Sequence, residues 1–380
     1  VKPLLNLSQT CFLSAILQAL LHNPLWKQYY LSSGHDRKQC ALRRAKKLVH
    51  GNNKYQPTES IAEGSGLGAE ENGPGGLIGV KLSDLGLGLG ECMNCEMDGA
   101  FAEAYGGDST PFGPITMLFA MWKANTELAG YAQQDAHAFF LAALNQIHMH
   151  DPDCVESPKN CACIAHRTFG GSLLSTVTCS RCGSMTETED PILDLSLELK
   201  KGAPAMDRLT AVERCSPSAS LNLADCLRTF TSKESLKDDV YACEKCKAEG
   251  RRADVSKQLS FKTLPATLAI QLKRFEHANS NLVKVDTLVN FPTELDMRPY
   301  MTDQLRGDTF DMPLEMFHYR LTSVVTHEGK LDNGHYWACV NSGHAWFLMD
   351  DEKVTPIALS RVLAQKAYML FYAKSSLTFA

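Results

Sequence analysis

Two Cys-x-x-Cys knuckles, Cys179/Cys182 and Cys243/Cys246, stand far apart in the chain, and they limit its fold more than any other feature. Four thiolates make the closed tetrahedral set of a structural zinc site. To share one ion, the knuckles must sit on different strands that the intervening chain returns to the same end. The sequence holds fourteen cysteines, and the close pairs Cys92/Cys95 and Cys161/Cys163 extend the pattern. Such pairing reads as metal ligation in a reducing compartment, cytosol or nucleus, and not as a disulfide framework. His35 and Cys40 with Cys92 and Cys95 form a second candidate set, which would clip together the ends of the segment between them. Cys161, Cys163 and His166 form a third, with His148 or Cys154 as the fourth ligand. Up to three structural zinc ions are expected, and none in the chemistry.

A second constraint lies at the start of the chain. After Cys11, apolar residues at Phe12, Leu13, Ile16, Leu17, Leu20 and Leu21 recur at helical spacing. Thr10 is a good N-cap, so Cys11 falls on the first turn of a largely buried helix. There the helix dipole and unpaired N–H groups favour negative charge. Gly334-His335-Tyr336 lies far downstream, followed by a carboxylate pair, Asp350-Asp351. A Cys early, a His late and a carboxylate after it is the order of a papain-like triad.

The remaining sequence fixes the class. With 380 residues and 44% hydrophobic content the chain can bury a sizeable core. A formal charge of −5 argues against nucleic acid as the primary ligand. No apolar run reaches the roughly eighteen residues of a membrane helix, and no secretory signal pattern is present. Helices are predicted at 25–31, 93–104, 111–122, from 133 to about 150, and at 221–230. Strands are predicted at 171–178, 192–199, 256–260, 268–275, 319–326, 336–341, 345–349 and 367–372. Residues 41–90 run from a basic cluster into Gly-rich sequence and read as a flexible insert; 201–218 reads as a linker. Helices early and strands late indicate an α+β architecture.

Ser8-Gln9-Thr10-Cys11-Phe12 resembles the first box of the ubiquitin-specific proteases, G-N-T-C-[FY], and Gly334-His335-Tyr336 matches their last, G-H-Y. The resemblance covers nearly the whole chain outside 41–90. It implies a papain-like cysteine protease core within one catalytic domain over 1–376. A helical thumb would span about 1–150, with a palm sheet and zinc-ribbon fingers over about 160–376 and the active site between thumb and palm. It implies a thiol-dependent deubiquitinase with Cys11 as nucleophile, His335 as base and Asp350 as the orienting carboxylate. Gln9 stands where the family has an Asn, and its amide is a candidate oxyanion donor beside the Cys11 N–H. Gln133-Gln134-Asp135-Ala136-His137-Ala138-Phe139 resembles the Q-Q-D-x-x-E-F box that grips the ubiquitin tail. Gln134 and Asp135 are thus candidate substrate-binding residues, while Ala138 replaces the acidic member. Lys273-Arg274-Phe275 resembles a palm-strand box with a structural role. The extra zinc sets resemble the branch of the SAGA coactivator that removes ubiquitin from histone H2B. That branch implies the nucleus, with the cytoplasm also open, and activating partner subunits. The competing reading is a catalytically weak ubiquitin-binding scaffold, motivated by Gln9 and Ala138.

Overall fold

The computed structural model describes residues 2–40, 92–107, 110–130, 132–151, 154, 161–199, 221–236, 243–249, 254–278, 281–307, 313–330 and 333–377. The insert expected at 41–90 and the linker expected at 201–218 lie outside them. No helix among the described residues is long and apolar enough to cross a membrane.

Six helices lead the described chain: α1 (Cys11–Leu21), α2 (Pro24–Leu31), α3 (Met93–Tyr105), α4 (Ile115–Ala124), α5 (Ala136–Met149) and α6 (Ile164–Phe169). Every residue of α1 is buried, Ser14 and Gln18 included. The helix has no solvent face because palm strands cover one side and helices the other. Phe12 meets Phe139 of α5 edge-on at 5.6 Å between ring centroids. α2 starts where Asn23 accepts the Leu25 and Trp26 N–H groups at 3.1 and 3.2 Å, with Pro24 supplying a preset φ. Thr10 departs from the expected cap. It precedes α1, but its hydroxyl accepts the Leu7 N–H at 2.8 Å and makes no bond to the helix. It closes the loop before the helix instead.

The strands follow in order: β1 (Gly171–Cys179), β2 (Met185–Ile192), β3 (Leu195–Glu198), β4 (Leu221–Asn222), β5 (Glu234–Leu236), β6 (Val255–Thr263), β7 (Thr267–Lys273), β8 (Phe275–Ala278) and β9 (Asn281–Lys284). After them come β10 (Val289–Asn290), β11 (Glu294–Asp296), β12 (His318–Lys330), β13 (Asn333–Ser342), β14 (Ala345–Asp350), β15 (Lys353–Ile357) and β16 (Ala367–Lys374). The palm is a sheet in the order β15-β14-β13-β12-β16-β7-β3, with β11 also paired to β12. Its central strands are buried on both faces. Met369 and Phe371 of β16 join the core shared with α1 and α5, while Leu370 and Tyr372 join a second core behind the sheet. That alternation is the period-two geometry of a strand.

A second sheet, β2-β1-β6-β5, forms the fingers. Cys179 ends β1 opposite Val255 of β6, so both knuckles meet at one end of this sheet. Arg274, expected to be structural, interrupts the run predicted at 268–275. It is buried, donates from Nε to the Ala367 carbonyl at 2.6 Å, and from Nη1 to the Val285 and Thr287 carbonyls at 2.9 Å each.

Candidate active site

The N-terminus of α1, the start of β13 and the end of β14 converge at the edge of the palm. His335 and Asp350 meet there, Nε2 to Oδ1, at 2.6 Å. With Nε2 engaged, Nδ1 is the nitrogen left for a thiol. Cys11 is 2% exposed at the head of α1. Its hydrogen bond is the largest influence on His335, whose pKa is pushed up to about 9; burial opposes this and Asp350 reinforces it. Both partners therefore favour an imidazolium. The three residues that the sequence singled out are brought together.

The loop before Cys11 is held under backbone constraint. Ser8 and Gln9 both have positive φ, 77° and 52°. Such angles cost energy in non-glycine residues and persist only when surroundings enforce them. Asn6 supplies part of that enforcement: its Oδ1 accepts the Thr10 N–H at 3.2 Å, and its Nδ2 donates to Asp351 Oδ2 at 2.8 Å. Asp351 thus ties the loop to the end of β14, while Asp350 serves the histidine. Burial raises the pKa of Asp351. Gln9 is exposed, and its amide makes no hydrogen bond to a described residue. Asn6 was missed in the sequence reading. The signal for it was available: a sharp turn before a helix needs a short polar side chain that binds local backbone.

Asp135 N-caps α5, accepting the Ala138 N–H at 2.8 Å through Oδ1. Its Oδ2 accepts the Tyr336 hydroxyl at 3.4 Å and also the Tyr368 hydroxyl. Gln134 is partly buried, and Ala138 is exposed. Gln133, which the sequence reading placed in the tail-gripping box without a role of its own, spans from this segment to the palm. Its Oε1 accepts the Gly334 N–H and its Nε2 donates to the Gly334 carbonyl, each at 2.5 Å.

Three Cys/His sets gather as the sequence suggested: His35, Cys40, Cys92 and Cys95; His148, Cys161, Cys163 and His166; and Cys179, Cys182, Cys243 and Cys246. Within each set the ligand atoms lie within 4.8 Å of one another. A Zn–S bond of about 2.3 Å implies tetrahedral S–S edges of about 3.8 Å. Cys179 and Cys246 are 3.8 Å apart and Cys182 and Cys243 3.6 Å, which fits zinc and is far too long for a disulfide. His35 stands 3.2 Å from Cys95 and 3.8 Å from Cys92. In the third set Cys163 is 3.2 Å from His166 and Cys161 is 3.4 Å from His148. His148 completes the four, and Cys154 lies beside it at 3.2 Å. These donor sets are able to hold zinc.

The ubiquitin carboxyl-terminal hydrolase family profile matches residues 3–372. Ubiquitin carboxyl-terminal hydrolase 22 of Mus musculus is 32% identical over 100% of this chain and 67% of its own length. Ubiquitin C-terminal hydrolase 22 of Arabidopsis thaliana is 30% identical over 99% of this chain and 64% of its own. The chain thus spans about two thirds of the length of these relatives. Among solved structures, the SAGA Ubp8/Sgf11/Sus1/Sgf73 DUB module bound to ubiquitin aldehyde superposes with a TM-score of 0.69 at 31% identity, over 98% of this chain and 69% of that one. A yeast SAGA DUBm structure gives 0.70 at 30% identity, over 98% and 68%. With its α+β fold of thumb, palm and fingers and its Cys–His–Asp centre, the chain belongs to the ubiquitin carboxyl-terminal hydrolase family, a family of cysteine-type deubiquitinases.

Proposed function

We propose that this chain hydrolyses the isopeptide bond between the ubiquitin C-terminus and a substrate lysine, with Cys11 as nucleophile, His335 as acid–base and Asp350 orienting His335. The observation that carries the reading is the 2.6 Å bond from His335 to Asp350 beside Cys11, the two neighbours together pushing the histidine's pKa up to about 9. The Cys11 thiolate attacks the carbonyl carbon, and the C=O π electrons move to oxygen. His335 gives its proton to the lysine nitrogen as the C–N bond breaks, leaving a thioester. Water then attacks, its proton passing to His335, and the Cys11 thiolate leaves as the carboxylate forms. Asp350 holds the imidazole with Nδ1 towards sulfur.

The oxyanion is stabilised by the Cys11 N–H and a side-chain amide. Gln9 and Asn6 are the two candidates, and Asn6 is favoured because two hydrogen bonds already fix its orientation. Gln134 and Asp135 lie on the segment assigned to the ubiquitin tail. Three zinc ions, one in each Cys/His set, would be structural, closing tetrahedra with no open position for substrate. The likeness to the Ubp8 module supports a SAGA-type assembly in the nucleus, activating subunits, and monoubiquitinated histone H2B as substrate.

A ubiquitin probe with an electrophilic C-terminus tests the chemistry. Covalent capture at Cys11, lost in Cys11→Ala, is expected; binding without capture would leave a ubiquitin-binding scaffold. Ubiquitinated nucleosomes, offered with and without the partner subunits, test the substrate. Equal inertness in both arms would overturn the histone assignment.

A further inference from the structure

The short segment 133–135 grips β13 on both sides of His335. Asp135 accepts the hydroxyl of Tyr336, the residue after it. Gln133 binds the peptide groups of Gly334, the residue before it, donating to one and accepting from the other at 2.5 Å. An amide side chain with both bonds made to one residue imitates a strand partner. Gly334 has such a partner on one side only: it pairs with Gly329 of β12, whereas the pairing of β13 with β14 begins at Ala338. Gln133 fills the gap on the open side.

Gly334 is held just as closely by packing. A Cβ there would lie 2.1 Å from His327 Nε2 and 2.6 Å from the Lys330 carbonyl oxygen. His327 is 2% exposed, and neither ring nitrogen has a hydrogen-bond partner among the described residues. Its ring lies 4.5 Å from that of Tyr336 and 5.3 Å from that of Phe275, centroid to centroid. The strand at this point therefore has one position, with the imidazole packed against it and Gln133 holding its free edge.

We propose that Gln133 is a positioning residue for His335: by holding the Gly334 peptide it fixes the backbone from which the imidazole reaches Cys11. Asp350 anchors the far end of the ring, and Gln133 anchors the near end of the residue. The inference rests on the assignment of Cys11 and His335 as the reacting pair.

Gln133→Met removes both bonds while keeping the side chain's length, and Gln133→Glu keeps only the acceptor for the Gly334 N–H. Three readouts are taken on the full chain: kcat and KM on a fluorogenic ubiquitin ester or amide, the pH profile, and the rate at which iodoacetamide labels the Cys11 peptide. A loss of about 10- to 100-fold in kcat, the scale of a roughly 1 Å misplacement, is expected for Gln133→Met, with little change in KM. Iodoacetamide labelling at neutral pH should slow, and the upper pH limb should move below its wild-type position. Gln133→Glu should lie between wild type and Gln133→Met, and it carries the test if the methionine variant does not fold. A raised KM with unaltered kcat, labelling and pH limb would make Gln133 a substrate contact and overturn the proposal, as would no change at all. The two readings fail separately. If labelling of wild-type Cys11 is indifferent to His335→Ala, the reacting pair itself is wrong. If it depends on His335 and not on Gln133, only the present inference falls.

Discussion

As the proposed acid–base, His335 should set the upper pH limit of catalysis, because the attacking form pairs a thiolate with an imidazolium. Its pKa is raised to about 9, first by Cys11 and then by Asp350. A raised histidine pKa means that the proton is retained below about 9 and lost as pH climbs through it, so kcat/KM should fall off near that pH. In Asp350→Ala one raising influence is gone, and the limb should move towards lower pH. The activity lost should be on the order of 10⁴-fold, against about 10⁶-fold for Cys11→Ala or His335→Ala. A pH profile of Asp350→Ala with an unmoved upper limb would show that the carboxylate does not act on His335. Asn6→Ala and Gln9→Ala separate the two oxyanion candidates. Loss of an oxyanion donor costs about 10²- to 10³-fold in kcat with KM nearly constant. That loss is expected for Asn6, whose amide two hydrogen bonds hold in place, and not for Gln9, whose amide makes none to a described residue. Cys11, His335 and Asp350 were legible in the sequence because their neighbours form recognisable boxes. Asn6 was missed although its place in a sharp turn before a helix signalled it, whereas the role of Gln133 was not legible, because it binds backbone groups that only the folded strand presents to it.

The zinc proposed for the Cys179, Cys182, Cys243 and Cys246 set would carry much of the stability of the fingers. Among the described residues of their tip, Val255 is the one buried non-cysteine apolar residue, with Val177 and Leu236 partly buried beside it. So small a cluster contributes little hydrophobic stabilisation, while a structural zinc contributes on the order of 10–16 kcal/mol in isolated fingers. Cys179→Ser should therefore remove one zinc per chain and expose the amides of the β1 and β6 ends to exchange, while α1 and β12 stay protected. Uniform loss of protection throughout would mean that the tip and the core unfold as one unit. Elements buried along nearly their whole length were readable in advance, as α1 and β16 were, because they concentrate apolar residues. β2 was missed: Met185-Thr186-Glu187-Thr188-Glu189-Asp190-Pro191-Ile192 is exposed over most of its length, so no apolar alternation marks it. The strand predicted from 192 to 199 instead divides into the end of β2 and the short β3. A single apolar alternation does not reveal where a chain passes from one sheet to another.

On the scale of the molecule, the palm sheet separates two apolar cores, and two of the three Cys/His sets gather on the helical side. The α+β class could be read from helices preceding strands, whereas the long-range order of the palm strands could not, since pairing between distant segments leaves no local pattern. The set of His35, Cys40, Cys92 and Cys95 has a consequence for the segment from 41 to 91. Its two flanking residues, Cys40 and Cys92, place their sulfurs within 4.8 Å of each other. A connection of about five residues suffices for such a span. Closing a loop costs about (3/2)RT ln n, so shortening this one roughly tenfold should lower the cost by about 2 kcal/mol. Replacing residues 41–91 by a short Gly/Ser linker should therefore leave zinc content and ubiquitin-probe capture unchanged and raise Tm by a few degrees. The gain should shrink when Cys92→Ser is added, because a loop whose ends no longer meet at a shared ion gains less from being short. A lower Tm, or loss of zinc from this set alone, would mean that the segment itself supports the clip.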